Sequence, residues 1–110
     1  MIKLIKKFEV RALGSNSDVT LPLVPGTGAL MTETSETESG RQVKKSLTAR
    51  LYHKKMSGQA TELLKDDVTV RLTFEDGTSE TIGTDDIPVI LRLTEENTLL
   101  VSMEYISGLR

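Results

Sequence analysis

Apolar and polar residues alternate through most of this chain, the two-residue period of strands that bury one face. The pattern is clearest where Val68, Val70, Leu72 and Phe74 alternate with Thr69, Arg71 and Thr73. Asp76-Gly77 follows at once, a hairpin signal because glycine tolerates positive φ. Thr78 to Ile82 returns from that turn. Val89, Leu91 and Leu93 then alternate with Ile90 and Arg92, after a Gly83-Thr84-Asp85-Asp86-Ile87-Pro88 link. Glu95-Glu96-Asn97 marks a further turn before Leu99, Val101 and Met103 begin a last strand.

The first half carries the same period less evenly. Phe8, Val10 and Ala12 predict a strand from about Leu4 to Leu13, followed by a Gly14-to-Asp18 turn cluster. Val19, Leu21 and Leu23 predict a second strand. Pro22 lies inside it and has no N–H to give a ladder, which places this strand at a sheet edge. Ala29 to Met31 reads as a short third strand. Val43 to His53 is the longest candidate, although Lys45 interrupts its apolar face. Thr32 to Gly40 is acidic and hydroxyl-rich, with almost nothing to bury, so it predicts a mobile loop. One helical segment stands out from Gln59 to Asp66, where Ala60, Leu63 and Leu64 share a face. It is too short to persist without packing on the sheet.

Seven or eight short strands with turns between them predict an all-β fold, an antiparallel β-sandwich or small barrel with one short helix. A chain of 110 residues is one ordinary domain. The residues predict a single β domain over 1–110 with a mobile acidic loop at 32–40. Only 4% of residues are aromatic and none is Trp, so the core must rest on Leu, Val and Ile.

Charge and candidate chemistry narrow the function by subtraction. The 14 basic and 16 acidic residues give a net charge of -2, without the basic excess of a nucleic-acid binder. Lysines at Lys3, Lys6, Lys7, Lys44, Lys45, Lys54 and Lys55 lie beside predicted strands and read as solvated edges that discourage wrong pairing. No segment approaches the ~20 apolar residues of a membrane span, and Met1 to Glu9 is broken by lysines where a signal peptide needs an apolar run. The expectation is a cytoplasmic protein with no nucleic-acid or membrane partner.

There is no cysteine, so disulfides and thiolate metal sites are excluded. Pro25-Gly26-Thr27-Gly28 lacks the following Lys and helix that a phosphate-binding loop needs, and reads as a turn. His53 is the only histidine, and no G-x-S-x-G elbow accompanies it. Asp66-Asp67 and Asp85-Asp86 lie at turns and do not match a calcium-loop pattern. The residues therefore predict no catalytic set, no metal and no cofactor: a non-enzymatic protein.

Several features occur in a suggestive order: Pro25-Gly26-Thr27-Gly28, the acidic Ser/Thr stretch ending at Gly40, and the long strand with Leu47 and Leu51. They continue with Glu62-Leu63-Leu64, Asp76-Gly77, and Ile82-Gly83-Thr84-Asp85-Asp86-Ile87-Pro88-Val89. Over roughly residues 25 to 106 the chain resembles small uncharacterised proteins encoded among prophage structural genes. That resemblance implies a phage structural component, tail- or virion-associated, working through protein–protein contacts. Its partners would include its own copies in a homo-oligomer. The other reading is a small ligand-binding or host-factor-interacting β domain. From their expected exposure, Pro22, Thr32, Glu33, Glu36 and Glu38 are the candidate interaction residues.

Overall fold

Strand β1 (Ile2–Ala12) is shared between the two halves of the sheet. The computed structural model describes residues 1–38, 40–95 and 98–108. Leu4, Lys3 and Ile2 pair with Ala29, Leu30 and Met31 of β3 (Ala29–Thr37). From Ile5 to Ala12 the same strand pairs antiparallel with β5 (Val68–Phe74). A register irregularity falls between Ile5 and Lys7. One extra residue flips which side chains face inward. Ile5 is therefore buried before it, and Phe8 and Val10 after it.

The other strands are β2 (Val19–Thr20), β4 (Gly40–Leu51), β6 (Ser79–Ile82), β7 (Arg92–Glu95) and β8 (Leu99–Gly108). They form one curled antiparallel sheet of eight strands in the order β6-β5-β1-β3-β4-β8-β7, with β2 on β1. The all-β expectation is met by this half-barrel. Its concave side holds one core, with Phe8, Leu30, Leu47, Leu51, Leu72, Phe74 and Val101 fully buried. Helix α1 (Gly58–Leu63) caps the core with Ala60 and Leu64. The Ser57 hydroxyl starts it by accepting from the Ala60 N–H at 3.1 Å.

Two linking segments change partner midway, and both depart from the predicted strands. Val19 and Thr20 pair with β1, but Leu23 bridges to Leu51 of β4. Between them the Leu23 N–H donates to the Leu21 carbonyl at 2.9 Å, which makes Pro22 the centre of a three-residue turn. Proline's fixed φ suits that turn. Pro22 thus hands the chain from β1 to β4 and does not sit on an open edge, because its carbonyl accepts from Tyr52 N–H at 2.8 Å. The second segment runs from β5 to β8. Val89 bridges to Val68, Leu91 is buried, and only from Arg92 does the chain pair with β8. Alternation tracks burial at Val89 and Leu91 but not at Leu93, which is 37% exposed on β7, and the ladder partner changes between them.

The largest correction concerns the acidic stretch. Residues Thr32 to Thr37 belong to β3, paired residue for residue with β4 from Lys45 to Gly40. Glu38 is at the turn, and Ser39 lies outside the described residues. The predicted loop is mostly strand because β4 supplies the main-chain partners and opposite charges that the stretch lacks by itself. Glu96 and Asn97 of the expected Glu95-Glu96-Asn97 turn, and Leu109 and Arg110, also lie outside the described residues.

Two turns carry most of the local constraint. Gly83 has φ +87, and a Cβ there would stand 2.8 Å from Cγ2 of buried Val89. Gly83→Ala is expected to destabilise by about 1–3 kcal/mol, read as a lower denaturant midpoint at unchanged slope. At the β5–β6 turn, the Thr78 hydroxyl and N–H both donate to Asp76 Oδ1, with Lys3 nearby. These bonds hold the Asp76 carboxyl below its usual range. A depressed folded-state pKa gives stability that is present above the unfolded value and lost as pH falls through the folded one. Asp76→Asn should therefore flatten the loss of thermal stability on acidification below about pH 4, the ordinary aspartate range.

Candidate interaction surface

Strands β3, β4 and β8 continue past the core. Leu47, Ala49 and Leu51 of β4 are buried, but from Lys45 back to Gly40 no residue is. The same change occurs in β8, where Met103 is buried and Glu104 and Ile106 are exposed. Along β3, Leu30 is buried and every residue from Glu33 to Thr37 is exposed. The result is a three-stranded blade standing out from the half-barrel, consistent with the protein's extents of 46 × 30 × 27 Å.

Cross-strand ion pairs line the blade. Glu36 meets Arg41 at 3.3 Å, and Lys44 meets Glu104 at 3.6 Å while lying opposite Glu33. Lys45, which interrupts the apolar face of β4, forms an ion pair with Glu80 of β6 at the base of the blade. Both side chains are less than a third exposed, at 22% and 31%. This pair ties the two halves of the sheet where the apolar core ends.

Both edges of the blade lack a neighbouring strand among the described residues. Thr32 exchanges main-chain hydrogen bonds with Met1, at 2.9 and 3.1 Å. Beyond it β1 has ended, so alternation directs the main-chain groups of Thr34 and Glu36 outward. On the far side, β7 covers β8 only from Leu99 to Ser102. The parity of β8 follows from β4. The Arg50 carbonyl accepts from Val24 N–H, and Tyr52 N–H donates to Pro22, so even-numbered β4 residues bond toward β3. Odd-numbered ones bond toward β8, at Leu47–Met103 and Lys45–Tyr105, in a register without shifts. The main chain of Glu104 and Ile106 therefore points outward.

A shallow groove of about 410 Å³ lies where β7 peels away from β8, between Ile90 and Arg92 on one side and Ser46, Thr48 and Glu104 on the other. Exposed apolar side chains also stand on the convex face, with Ile2 at 65%, Leu4 at 54% and Met31 at 38% exposure.

Of the candidate interaction residues, the structure brings Thr32, Glu33, Glu36 and Glu38 together on one arm of the blade and leaves Pro22 apart, between β1 and β4. The sequence reading missed Glu104 and Ile106. Their alternation with Met103 and Tyr105 was visible, but not that β7 stops short of them. His53 is exposed and its Nε2 lies 3.4 Å from Glu95. The cleft beside it is lined by Met56, Thr61, Leu64, Lys65, Leu93 and Glu95, and the Thr61 hydroxyl donates to the Ser57 carbonyl at 3.0 Å. No group of three or more His, Cys, Asp or Glu side chains converges among the described residues. No described helix is long and apolar enough to cross a membrane.

No protein-family model, no curated protein and no solved structure matches this chain.

The Lys45–Glu80 pair is open to a direct check. Lys45→Gln should lower stability by about 1 kcal/mol, the upper range for partly exposed pairs. In a double-mutant cycle with Glu80→Gln the two losses should be less than additive, as measured by denaturant unfolding.

Proposed function

We propose that this protein is a non-enzymatic assembly protein that acts through protein–protein contacts, its own copies among its partners. The observation that carries the reading is the blade: three strands built past the core, with no neighbouring strand among the described residues along either outer edge. Proteins normally shorten, charge or cover such edges, because they template pairing with another chain. A domain that extends them beyond what its core needs is suited to strand addition. The resemblance to prophage structural proteins supports the narrower reading of a tail- or virion-associated component, made in the cytoplasm and carried into a particle. At His53 the nearby hydroxyl, that of Thr61, donates to the Ser57 carbonyl at 3.0 Å and not to the imidazole, which weighs against the rival reading of an enzyme.

Light scattering after size exclusion, over a concentration series reaching about 1 mM to include weak association, tests the self-association at the centre of this reading. The expected result is a mass that rises with concentration toward a defined oligomer. A mass fixed at one chain throughout would overturn it.

A further inference from the structure

The two free edges of the blade are not equivalent. The β3 edge runs beside Glu33, Glu36 and Glu38, and only Glu36 and Glu33 have a basic residue opposite, at Arg41 and Lys44. A second copy laid along it would bring three carboxylates against three, an arrangement that discourages self-pairing. The β8 edge carries one acid, Glu104, whose charge is met by Lys44 at 3.6 Å. Beside it stands Ile106, 55% exposed on a strand edge. That edge has neither the lysine nor the proline that guards exposed strands.

We infer that the outward edge of β8, from Glu104 to Gly108, is a strand-addition site for a second copy of this chain, paired antiparallel about a two-fold axis at Ile106. The inference rests on the assembly reading above and names its contact.

Register selects the axis. Two-fold antiparallel pairing needs outward-directed residues opposite one another, and these are Glu104, Ile106 and Gly108. An axis at Glu104 sets two carboxylates face to face, and runs the partner across Ser102, whose outer side is already paired with Arg92. An axis at Tyr105 also reaches Ser102. An axis at Ile106 pairs Glu104 through Gly108, none of which pairs with β7, and an axis farther along the strand would pair fewer of these residues. Ile106 then meets Ile106 of the second copy, and Glu104 lies opposite a glycine, so no like charges meet. The pairing joins two blades into one six-stranded sheet, and the apolar contact sits on the symmetry axis where water is best excluded.

Three substitutions and the same mass measurement test this. Ile106→Pro removes an N–H that faces outward and so leaves the β4–β8 ladder intact. Ile106→Lys sets two ammonium groups on the axis and serves if the proline variant does not fold. Thermal unfolding is the folding control for both. Each should weaken association by about tenfold or more, whereas Glu62→Lys, at an exposed position of α1 away from the blade, should leave it unchanged. Because the chain has no cysteine, Ile106→Cys should give a single disulfide-linked dimer on mild oxidation, and Glu62→Cys on α1 should not. If the wild type associates but folded Ile106 variants associate equally well, or Ile106→Cys fails to cross-link, the β8 assignment is wrong and the assembly reading stands. If the wild type is a monomer throughout, both fail.

Discussion

Everything in this fold depends on β1 serving two partners in succession. Its first residues hold β3 and its remainder holds β5, and the register irregularity between Ile5 and Lys7 marks the exchange. The exchange has a steric origin. One extra residue turns the inward set from Ile5 to Phe8 and Val10, so both halves of the strand keep an apolar face on the same core. It also increases the local twist, which helps curl the sheet so that both halves face one core. Without a strand common to both halves, β3-β4-β8 and β5-β6 would be two small sheets with no shared interior.

The same strand sets where the core stops and the blade begins. β1 ends beside Thr32, while β3 and β4 run on for a further five or so pairs. Past that point the described residues are half-buried or exposed, and the side chains change accordingly from Leu30, Leu47 and Met103 to threonine, glutamate, lysine and arginine. Cross-strand ion pairs of this exposed kind are worth a few tenths of a kcal/mol each. Main-chain pairing and the half-buried Lys45–Glu80 contact therefore do most of the work of holding the blade. Fold and proposed function meet here: main chain unneeded by the core is left with its hydrogen-bonding capacity in solvent.

Much of this was legible from residue order. The hairpin at Asp76-Gly77, the strand from Val68 to Phe74, the short helix carrying Ala60 and Leu64, and the all-β class followed from alternation and turn chemistry. The acidic stretch from Thr32 was misread because its composition describes an isolated segment. Whether so polar a run is loop or strand depends on what lies beside it, and β4 lies beside it. Pro22 was placed at an edge by the rule that proline cannot donate to a ladder. The rule held, and a tight turn between two strands satisfied it equally well.

The sequence alone determined which side chains seek the interior, where the chain reverses, and that no cysteine or clustered histidine chemistry is present, because these follow from side-chain chemistry and local backbone preference. Tertiary structure alone decided which strands become neighbours, that β1 and the Val89–Arg92 segment change partners, and that β7 stops at Ser102 while β8 continues. A period of two is the same whichever strand lies alongside. Pairing and its absence are relations between segments far apart in the chain, so the open edge at Glu104 and Ile106 had no local signal to announce it.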